Sequence, residues 1–257
     1  MNRLRERLRL TTSIVLNHRR GVVQARHFTA PTGAQVPAER GHGELERYFD
    51  EHREGPGIWK WRHYFDVYER HLERFRGRPV HMVEIGVYAG GSIDMWRSYF
   101  GPQSRIYGVD IDPACRVHQS ENAEIFIGDQ SDPAFWDRFL TQVPEIDVVL
   151  DDGGHEFEQQ VTSLESLLPR MRPGGVYICE DVVGVANPFH DYVAGLARNL
   201  HSDRPFEERA DGEARVGPTP FQSSIGSVHV HPFVIAIEKR AHALELELLR
   251  HGTEWPG

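Results

Sequence analysis

The fold follows from the stretch Val83-Glu84-Ile85-Gly86-Val87-Tyr88-Ala89-Gly90-Gly91-Ser92. A short apolar run ends there in a glycine-rich turn, and the turn opens onto the helical pattern of Ser92–Phe100. In an open α/β sheet, ligands bind outside the carboxyl ends of the strands, and glycines let backbone N–H groups approach them closely. The spacing differs from the G-x-G-x-x-G of a dinucleotide-binding turn. We expect a nucleotide-like ligand here; a plain strand-to-helix turn is the alternative that this motif leaves open by itself.

Strand-like and helical runs alternate after this turn, which predicts an α/β fold with a parallel sheet and helices on both faces. Two further strand-like runs with almost no connection between them predict a terminal antiparallel hairpin at a sheet edge. The sheet is therefore expected to be seven-stranded and mostly parallel. The predicted strands are Val80–Ile85, Arg105–Asp110, Glu124–Ile127, Ile146–Asp151, Gly175–Glu180, Ile225–His231 and Phe233–Glu238, and the predicted helices are Ser92–Phe100, Pro113–Gln119, Pro133–Gln142, Phe157–Arg170 and Pro188–Leu200.

Two regions precede the alternating part of the chain. Residues 1–27 carry seven Arg against one acidic residue, with apolar residues interleaved, and residues 29–43 are rich in Pro and Gly without periodicity. We predict that residues 1–43 are an N-terminal arm and linker, and that the arm packs on another subunit of a homo-oligomer; a transit peptide is the alternative. Residues 44–257 are predicted to form one domain, with a helical cap at 44–78.

The composition excludes several classes of function. The 257 residues have a net charge of −9, which argues against a nucleic-acid partner. The longest apolar runs are far shorter than the roughly 18 residues of a membrane span, so no membrane partner is expected. Two cysteines without a secretory signal indicate a reducing, cytoplasmic location. Only Lys60 and Lys239 are lysine, which we interpret as a codon bias.

Acidic residues follow the next two predicted strands. Asp110 ends the second strand, and Asp129 with Gln130 follows the third. One carboxylate at this crevice can accept hydrogen bonds from both ribose hydroxyls, and a second carboxylate or its neighbouring amide can contact adenine, so a bound nucleoside is predicted. Asp112 is the alternative ribose partner, or a helix cap before Pro113. The predicted cofactor-binding residues are Glu84, Gly86, Ser92, Asp110, Asp129 and Gln130.

This set of motifs resembles the class I S-adenosylmethionine-dependent methyltransferases, whose sheet also ends in a reversed hairpin. The resemblance covers residues 80–240 approximately. It implies a Rossmann-like fold, S-adenosyl-L-methionine as the cofactor, and a methyltransferase domain within residues 44–257.

A second set of polar residues follows the fourth and fifth predicted strands. One strand ends in Leu150-Asp151-Asp152-Gly153-Gly154-His155 and the other in Ile178-Cys179-Glu180-Asp181. Asp152, Glu180 and Asp181 are predicted to meet at one rim, where hard oxygen ligands suit Mg²⁺. Zinc is disfavoured because neither cysteine lies in a paired ligand motif. Helix capping and ordinary loop solvation are the alternative for these acidic residues.

His155 follows Asp152 by three residues, at the edge of the predicted metal site. A side chain that titrates near neutral pH can take a proton from an alcohol, so His155 is the predicted general base. A capping or packing histidine is the alternative. Asp151 is expected to support the site from behind or to face the cofactor.

The D-x-x-H motif and the downstream Glu-Asp pair are similar to those of the metal-dependent sugar O-methyltransferases of natural-product biosynthesis, of the mycinamicin, macrocin and rhamnosyl types. In that family the first Asp and the Glu-Asp pair hold Mg²⁺, and the His is the base. The resemblance therefore implies metal ligation by Asp152, Glu180 and Asp181, with His155 as the catalytic residue. The stretch Trp59–Phe65 also resembles that family. Within the family, the chain most resembles the nucleotide-sugar branch, the TDP-rhamnose 3-O-methyltransferases of enediyne biosynthesis.

The resemblance implies a transferase of antibiotic biosynthesis that methylates a rhamnose-like deoxysugar hydroxyl, carried as a TDP-sugar. A glycosylated macrolide or polyketide and a catechol-type phenol are the alternative acceptors, and a non-catalytic nucleoside-binding scaffold is the remaining alternative. The chain lacks the separate N-terminal domain of the longer macrolide enzymes, so we expect a smaller acceptor.

Aromatic residues supply the candidates for acceptor binding. The segment Trp59–Tyr68 is predicted to be mostly core, but aromatic faces also stack on sugars and bases. Trp59, Tyr64 and Tyr88 are therefore the candidate substrate-binding residues, and Trp61 is a further possible contact.

Two remaining features receive plainer interpretations. The polar run 201–219 is predicted to be a loop, and either a lid over the site or a surface loop fits its composition. His229 and His231 alternate on one face of a predicted strand, and we interpret both as structural.

Overall fold

A computed structural model of the protein describes residues 2–28, 43–143, 145–202, 207–208, 214–215, 217–246 and 251. The chain divides into two units, residues 1–41 and residues 42–257. The first unit contains helix α1 (Asn2–Ala25), so the basic arm is helical. From residue 11 to residue 28 its side chains are exposed except for half-buried Ile14 and Val22. Its contact with another subunit stays a prediction, and the predicted linker lies outside the described residues except for Gly43.

The second unit contains the sheet, and its elements follow the predicted alternation closely. Its helices are α2 (Glu44–Glu51), α3 (Tyr64–Leu72), α4 (Gly91–Phe100), α5 (Pro133–Gln142), α6 (Phe157–Leu167), α7 (Pro188–Asn199) and α8 (Pro220–Ser224). Its strands are β1 (His81–Ile85), β2 (Arg105–Asp110), β3 (Ala123–Ile127), β4 (Val148–Asp151), β5 (Val176–Cys179), β6 (Glu207–Glu208), β7 (Ala214–Arg215), β8 (Ile225–His231) and β9 (Val234–Lys239).

The main sheet has seven strands in the order β3-β2-β1-β4-β5-β9-β8. Strands β1 to β5 are parallel, and β9 is antiparallel to both β5 and β8. The strand order therefore reverses between β1 and β4, and the crevice outside such a switch point is where open α/β sheets bind ligands. The predicted fold class, with its terminal hairpin, is confirmed.

Helices cover both faces of the sheet, as the alternating pattern predicts. Tyr68 of α3 and Trp96 of α4 are fully buried in one apolar core, and Trp136 of α5, Leu164 of α6 and Phe189 of α7 are buried in the other. Both α5 and the short turn after β2 begin with an Asp cap followed by Pro at the first position, which satisfies free backbone N–H groups.

Several local predictions differ from the structure. Residues Pro113–His118 form a 3-10 helix instead of an α-helix. Helices α3 and α6 end at Leu72 and Leu167, each before a further 3-10 turn. Within the predicted loop 201–219, the short strands β6 and β7 pair with each other. No helix of the described residues is long and apolar enough to cross a membrane.

Candidate active site

A cavity of about 740 Å³ opens at the carboxyl ends of the strands on both sides of the switch point. Its wall combines the glycine turn, the ends of β2 and β3, the loop after β4, the end of β5 and the segment before α3. Twelve of the predicted site residues line it, namely Trp59, Tyr64, Gly86, Tyr88, Ser92, Asp110, Asp129, Gln130, Asp152, His155, Glu180 and Asp181. Sequence motifs that are far apart in the chain are thus brought to one place.

The glycine turn after β1 depends on the absence of a side chain at Gly86. Its φ is +90°, and a Cβ there would lie 2.0 Å from the backbone oxygen of Asp152. The loop that carries Asp152 therefore packs directly on the turn. The turn is closed from the other side by Asp110, whose Oδ2 accepts hydrogen bonds from the N–H groups of Val87 and Tyr88 at 2.9 and 3.0 Å.

Asp110 lines the cavity as an ionised carboxylate. Burial opposes its ionisation, but hydrogen bonds from the backbone of Tyr88, Asp112 and Val87 outweigh burial and hold the pKa below its ordinary value. Asp112 caps the following turn through Ala114 and does not line the cavity. Of the two ribose candidates, the structure brings Asp110 to the cavity wall.

Glu84 lies beneath the turn and not in the cavity wall. Its side chain is fully buried, Oε1 accepts a hydrogen bond from Trp96 Nε1 at 2.8 Å, and Oε2 has no hydrogen-bond partner among the described residues. Burial raises the pKa of this carboxyl to about 6. The residue predicted to bind the cofactor is therefore placed one layer behind the cavity.

Asp129 and Gln130 stand at the end of β3 with different surroundings. Asp129 Oδ1 accepts hydrogen bonds from the backbone and hydroxyl of Ser131 at 2.8 and 2.7 Å. The Gln130 amide is held by the protein itself: Nε2 donates to Asp151 at 2.6 Å, and Oε1 accepts from the N–H of Gly154 at 3.2 Å. Gln130 thus joins the end of β3 to the loop after β4.

Asp151 anchors this loop from inside the protein. Its buried carboxylate also accepts hydrogen bonds from Ser163 and Tyr177, each at 2.6 Å. Burial raises its pKa, although these hydrogen bonds oppose the change. Asp151 therefore lies behind the neighbouring acidic cluster, in agreement with the supporting position expected for it.

Three candidate residues converge at the rim of the cavity. His155 Nε2 lies 3.9 Å from Asp152 Oδ1 and 3.6 Å from Asp181 Oδ2. One potential ligand atom from each residue lies within 4.8 Å of the other two. His155 and Asp181 have φ values of 59° and 54°, in the left-handed region that non-glycine residues rarely occupy. The local backbone therefore turns both side chains toward a common point.

A lysine that the sequence analysis missed lies on the inner side of this cluster. The Lys60 side chain is 3% exposed, and its Nζ donates hydrogen bonds to Glu180 at 3.1 and 3.2 Å and to Asp152. Burial lowers the pKa of Lys60, but the carboxylates of Glu180 and Asp152 outweigh burial and hold the pKa above its ordinary value. The sequence offers one signal for Lys60, the rarity of lysine in this chain, and the interpretation of that rarity as codon bias overlooks it.

Two tyrosines of α3 complete the contacts of the Glu-Asp pair. Tyr68 donates a hydrogen bond to Glu180, and Tyr64 donates one to Asp181. Glu180 is thus held by Lys60 and Tyr68, whereas the carboxylates of Asp152 and Asp181 face His155. Two carboxylates and one imidazole within reach of a common point fit a divalent cation, and Asp152 and Asp181 supply the hard oxygen ligands that Mg²⁺ prefers.

The aromatic segment before α3 is only partly core. Tyr64 and Tyr68 are buried as predicted, but Trp59 is 85% exposed and Trp61 is 55% exposed. The expectation of a core position is therefore wrong for these two tryptophans, which line the cavity mouth. Tyr88 in the glycine turn is exposed as well, with φ of 49°. These three rings are therefore exposed at the cavity wall.

A comparison with protein families identifies residues 83–182 as a methyltransferase domain. The chain carries a methyltransferase domain of the class I fold. This domain contains the glycine turn, the ends of β2 and β3, and both acidic motifs of the cavity. The methyltransferase domain predicted from these motifs is confirmed.

The similar proteins of known function are sugar O-methyltransferases. The chain is 34% identical to 8-demethyl-8-alpha-L-rhamnosyl tetracenomycin-C 2'-O-methyltransferase of Streptomyces olivaceus, over 74% of this chain and 54% of that protein. It is 39% identical to mycinamicin VI 2''-O-methyltransferase of Micromonospora griseorubida, over 45% of this chain and 30% of that protein. The chain thus spans about half the length of the first of these relatives.

The fold is also similar to that of the MycE methyltransferase from the mycinamycin biosynthetic pathway, solved in complex with Mg and SAH. The TM-score is 0.62 at 29% sequence identity, and the match covers 77% of this chain and 54% of MycE.

Proposed function

We propose that this protein transfers a methyl group from S-adenosyl-L-methionine to a hydroxyl of a rhamnose-like deoxysugar, with a divalent cation such as Mg²⁺ and with His155 as the general base. The observation that carries the proposal is that His155, Asp152 and Asp181 meet at the rim of the cavity. The glycine turn lines the same cavity. The sugar O-methyltransferases among the relatives, and the Mg and SAH of MycE, support the same chemistry.

The cavity divides into two regions that suit the two reactants. Gly86, Asp110 and Asp129 line the end beside β1 to β3, where backbone N–H groups and carboxylates can hold the nucleoside of S-adenosyl-L-methionine. Asp152, Glu180 and Asp181 stand at the other end and would hold Mg²⁺. When bound, the cofactor supplies an electrophilic methyl group, and the metal supplies a Lewis acid that favours loss of the hydroxyl proton.

His155 is placed to receive that proton. Its Nε2 lies 3.6 Å from Asp181 and 3.9 Å from Asp152, beside the proposed metal site, so it can accept the proton of a hydroxyl placed there. Lys60 neutralises the charge behind Asp152, and Tyr64 holds Asp181 in position. The residues thus orient the acceptor oxygen toward the methyl donor and accept its proton.

The substrate and assembly belong to the same proposal. We propose that the sugar is carried as a TDP-sugar in a pathway of secondary metabolism, that the protein acts as a homo-oligomer in the cytoplasm, and that Trp59, Tyr64 and Tyr88 contact the acceptor. The exposed rings of Trp59 and Tyr88 at the cavity mouth support stacking on a sugar ring.

A glycosylated polyketide is the second candidate acceptor. Apolar side chains are exposed beyond the Glu-Asp pair at Val183 and Val185, and exposed Trp61 packs against Phe233 with ring centroids 5.9 Å apart. A surface of this kind can contact an apolar aglycone. The rhamnosyl tetracenomycin activity of a relative supports the same candidate.

The test is methyl transfer from isotopically labelled S-adenosyl-L-methionine to TDP-rhamnose and to a rhamnosylated aglycone, each with Mg²⁺ or with EDTA. Label on TDP-rhamnose that disappears with EDTA is the expected result. Label only on the glycoside favours the second acceptor, and transfer that is indifferent to EDTA contradicts the metal assignment. If neither sugar is labelled although S-adenosylhomocysteine binds, the proposed acceptor class is wrong.

A further inference from the structure

A cluster of three histidines joins helix α3 to the terminal hairpin. His71 of α3 is 1% exposed, and His229 and His231 are half-buried on one face of β8. The ring of His71 lies edge-on to both others, with centroids 4.8 Å from His229 and 5.4 Å from His231. One ring nitrogen from each residue lies within 4.8 Å of the other two. None of the three lines the cavity described above.

We propose that His71, His229 and His231 bind a zinc-type divalent cation that fixes α3 to the hairpin of β8 and β9. Imidazole nitrogens suit Zn²⁺, whereas Mg²⁺ takes oxygen ligands. Two nitrogens at the usual distance from a tetrahedral zinc ion are separated by about 3.3 Å. The Nε2 atoms of His71 and His231 are 3.2 Å apart, so this pair already has the spacing of zinc ligands.

Glu238 of β9 provides an independent reason for this assignment. Its Oε1 lies 2.8 Å from His71 Nδ1, and Arg74 also donates to that oxygen at 2.9 Å. A carboxylate in this position accepts the proton of His71 Nδ1 and leaves Nε2 to face a metal, which is the arrangement of metal-binding histidines with a carboxylate behind them.

The half-buried β8 histidines leave a path by which an ion can reach the cluster from solvent.

An ion here would also act on the candidate active site through α3. Tyr64, Tyr68 and His71 are spaced four and three residues apart and so lie on one face of the helix. The two tyrosines hold Asp181 and Glu180. Fixing His71 to the hairpin would thus fix the helix face that positions the Glu-Asp pair.

The test is Zn²⁺ binding to the chelator-treated full chain, measured by competition with a chromogenic chelator in excess Mg²⁺. The excess Mg²⁺ keeps the carboxylate site occupied. We expect one Zn²⁺ per chain, loss of this binding in His229→Asn and His231→Asn, and a loss of affinity of about 10- to 100-fold in Glu238→Gln. His190→Asn removes a half-exposed imidazole elsewhere and should bind like the unchanged protein.

A second measurement separates the two sites. Zn²⁺ should raise the melting temperature of the unchanged protein and of His155→Asn, but not that of His231→Asn. Binding of S-adenosylhomocysteine checks that each variant is folded. The proposal is wrong if the unchanged protein binds no Zn²⁺ under these conditions, or if binding survives in His231→Asn and is lost in His155→Asn. In that case the histidines form only a hydrogen-bonded stack.

Discussion

The backbone conformation of His155 decides how its role can be tested. Because its φ is 59°, His155→Ala would combine loss of the imidazole with strain in the left-handed region. Asn tolerates this region, so His155→Asn removes the base with little change of the backbone. We expect kcat to fall by about 10²- to 10⁴-fold while the affinity for S-adenosylhomocysteine is kept. The check is steady-state kinetics together with calorimetric titration.

His190→Asn is the matched control for this prediction, because His190 has the same 38% side-chain exposure and lies on α7, outside the cavity. Its kcat should equal that of the unchanged protein. A His155→Asn variant with full activity would show that another group takes the proton.

Lys60 provides the second prediction at the scale of single residues. Lys60→Met removes the cation that faces buried Glu180, and breaking a buried ion pair on one side costs about 3–5 kcal/mol. Adding Glu180→Gln removes the more buried of the two carboxylates that Lys60 contacts, so the double variant should be more stable than Lys60→Met. Urea unfolding of the two single variants, the double variant and the unchanged protein measures this coupling.

Lys239→Met is the control, because that ammonium donates to the backbone oxygens of Leu168, Pro169 and Met171 instead of to a carboxylate. Its effect should add to that of Glu180→Gln without coupling. If the stability effects of Lys60→Met and Glu180→Gln were also strictly additive, the ion pair of Lys60 with Glu180 would contribute nothing to stability.

At the scale of elements, the shape of the cavity depends on the close packing between the turn that joins β1 to α4 and the loop after β4. Gly86→Ala would place a methyl group 2.0 Å from the Asp152 backbone oxygen, so the loop carrying Asp152 and His155 must move. We expect lower stability and loss of S-adenosylhomocysteine binding, measured by urea unfolding and by calorimetry.

Gly101→Ala separates this clash from backbone strain. Its φ is +97°, close to that of Gly86, but nothing lies within 4 Å of a Cβ there. It should cost only the strain of about 1–2 kcal/mol and leave binding intact. Equal effects of both substitutions on binding would contradict the close packing of turn and loop.

The elements also show which parts of the site a sequence can reveal. Asp110 ends β2, and Asp152 and Asp181 follow β4 and β5. These strands are parallel, so the alternating pattern alone brings the three residues to one edge of the sheet. Lys60 and Tyr68 reach Asp152 and Glu180 from positions 92 and 112 residues away, through a segment whose local pattern indicates only a core helix. Long-range contacts of this kind follow from packing, which periodicity does not encode.

For the whole molecule, Glu84 predicts how stability depends on pH. Burial raises its pKa to about 6 from an ordinary value of 4.5, so the folded state binds this proton more tightly than the unfolded state. Its contribution to stability is therefore greatest below pH 4.5 and is lost as the pH rises through 6, a difference of about 2 kcal/mol.

Glu84→Gln cannot titrate and isolates this contribution. The difference in unfolding free energy between the unchanged protein and Glu84→Gln should fall by about 2 kcal/mol between pH 4.5 and pH 7. Urea unfolding across this range measures it. A difference that stays constant with pH would show that Glu84 keeps an ordinary pKa in the folded state.

Cavity residues with a left-handed backbone conformation limit which substitutions can be engineered there. Tyr88, His155 and Asp181 all have positive φ, so the chemistry of each position is selected together with its backbone conformation. In a saturation library at the Tyr88 codon, Gly, Asn and Asp should be enriched and β-branched residues depleted, whatever acceptor is used for selection, whereas His155 and Asp181 are held by their proposed chemistry as well. Changing acceptor preference is therefore easier at Trp59 and Trp61, whose exposed rings have no such backbone restriction.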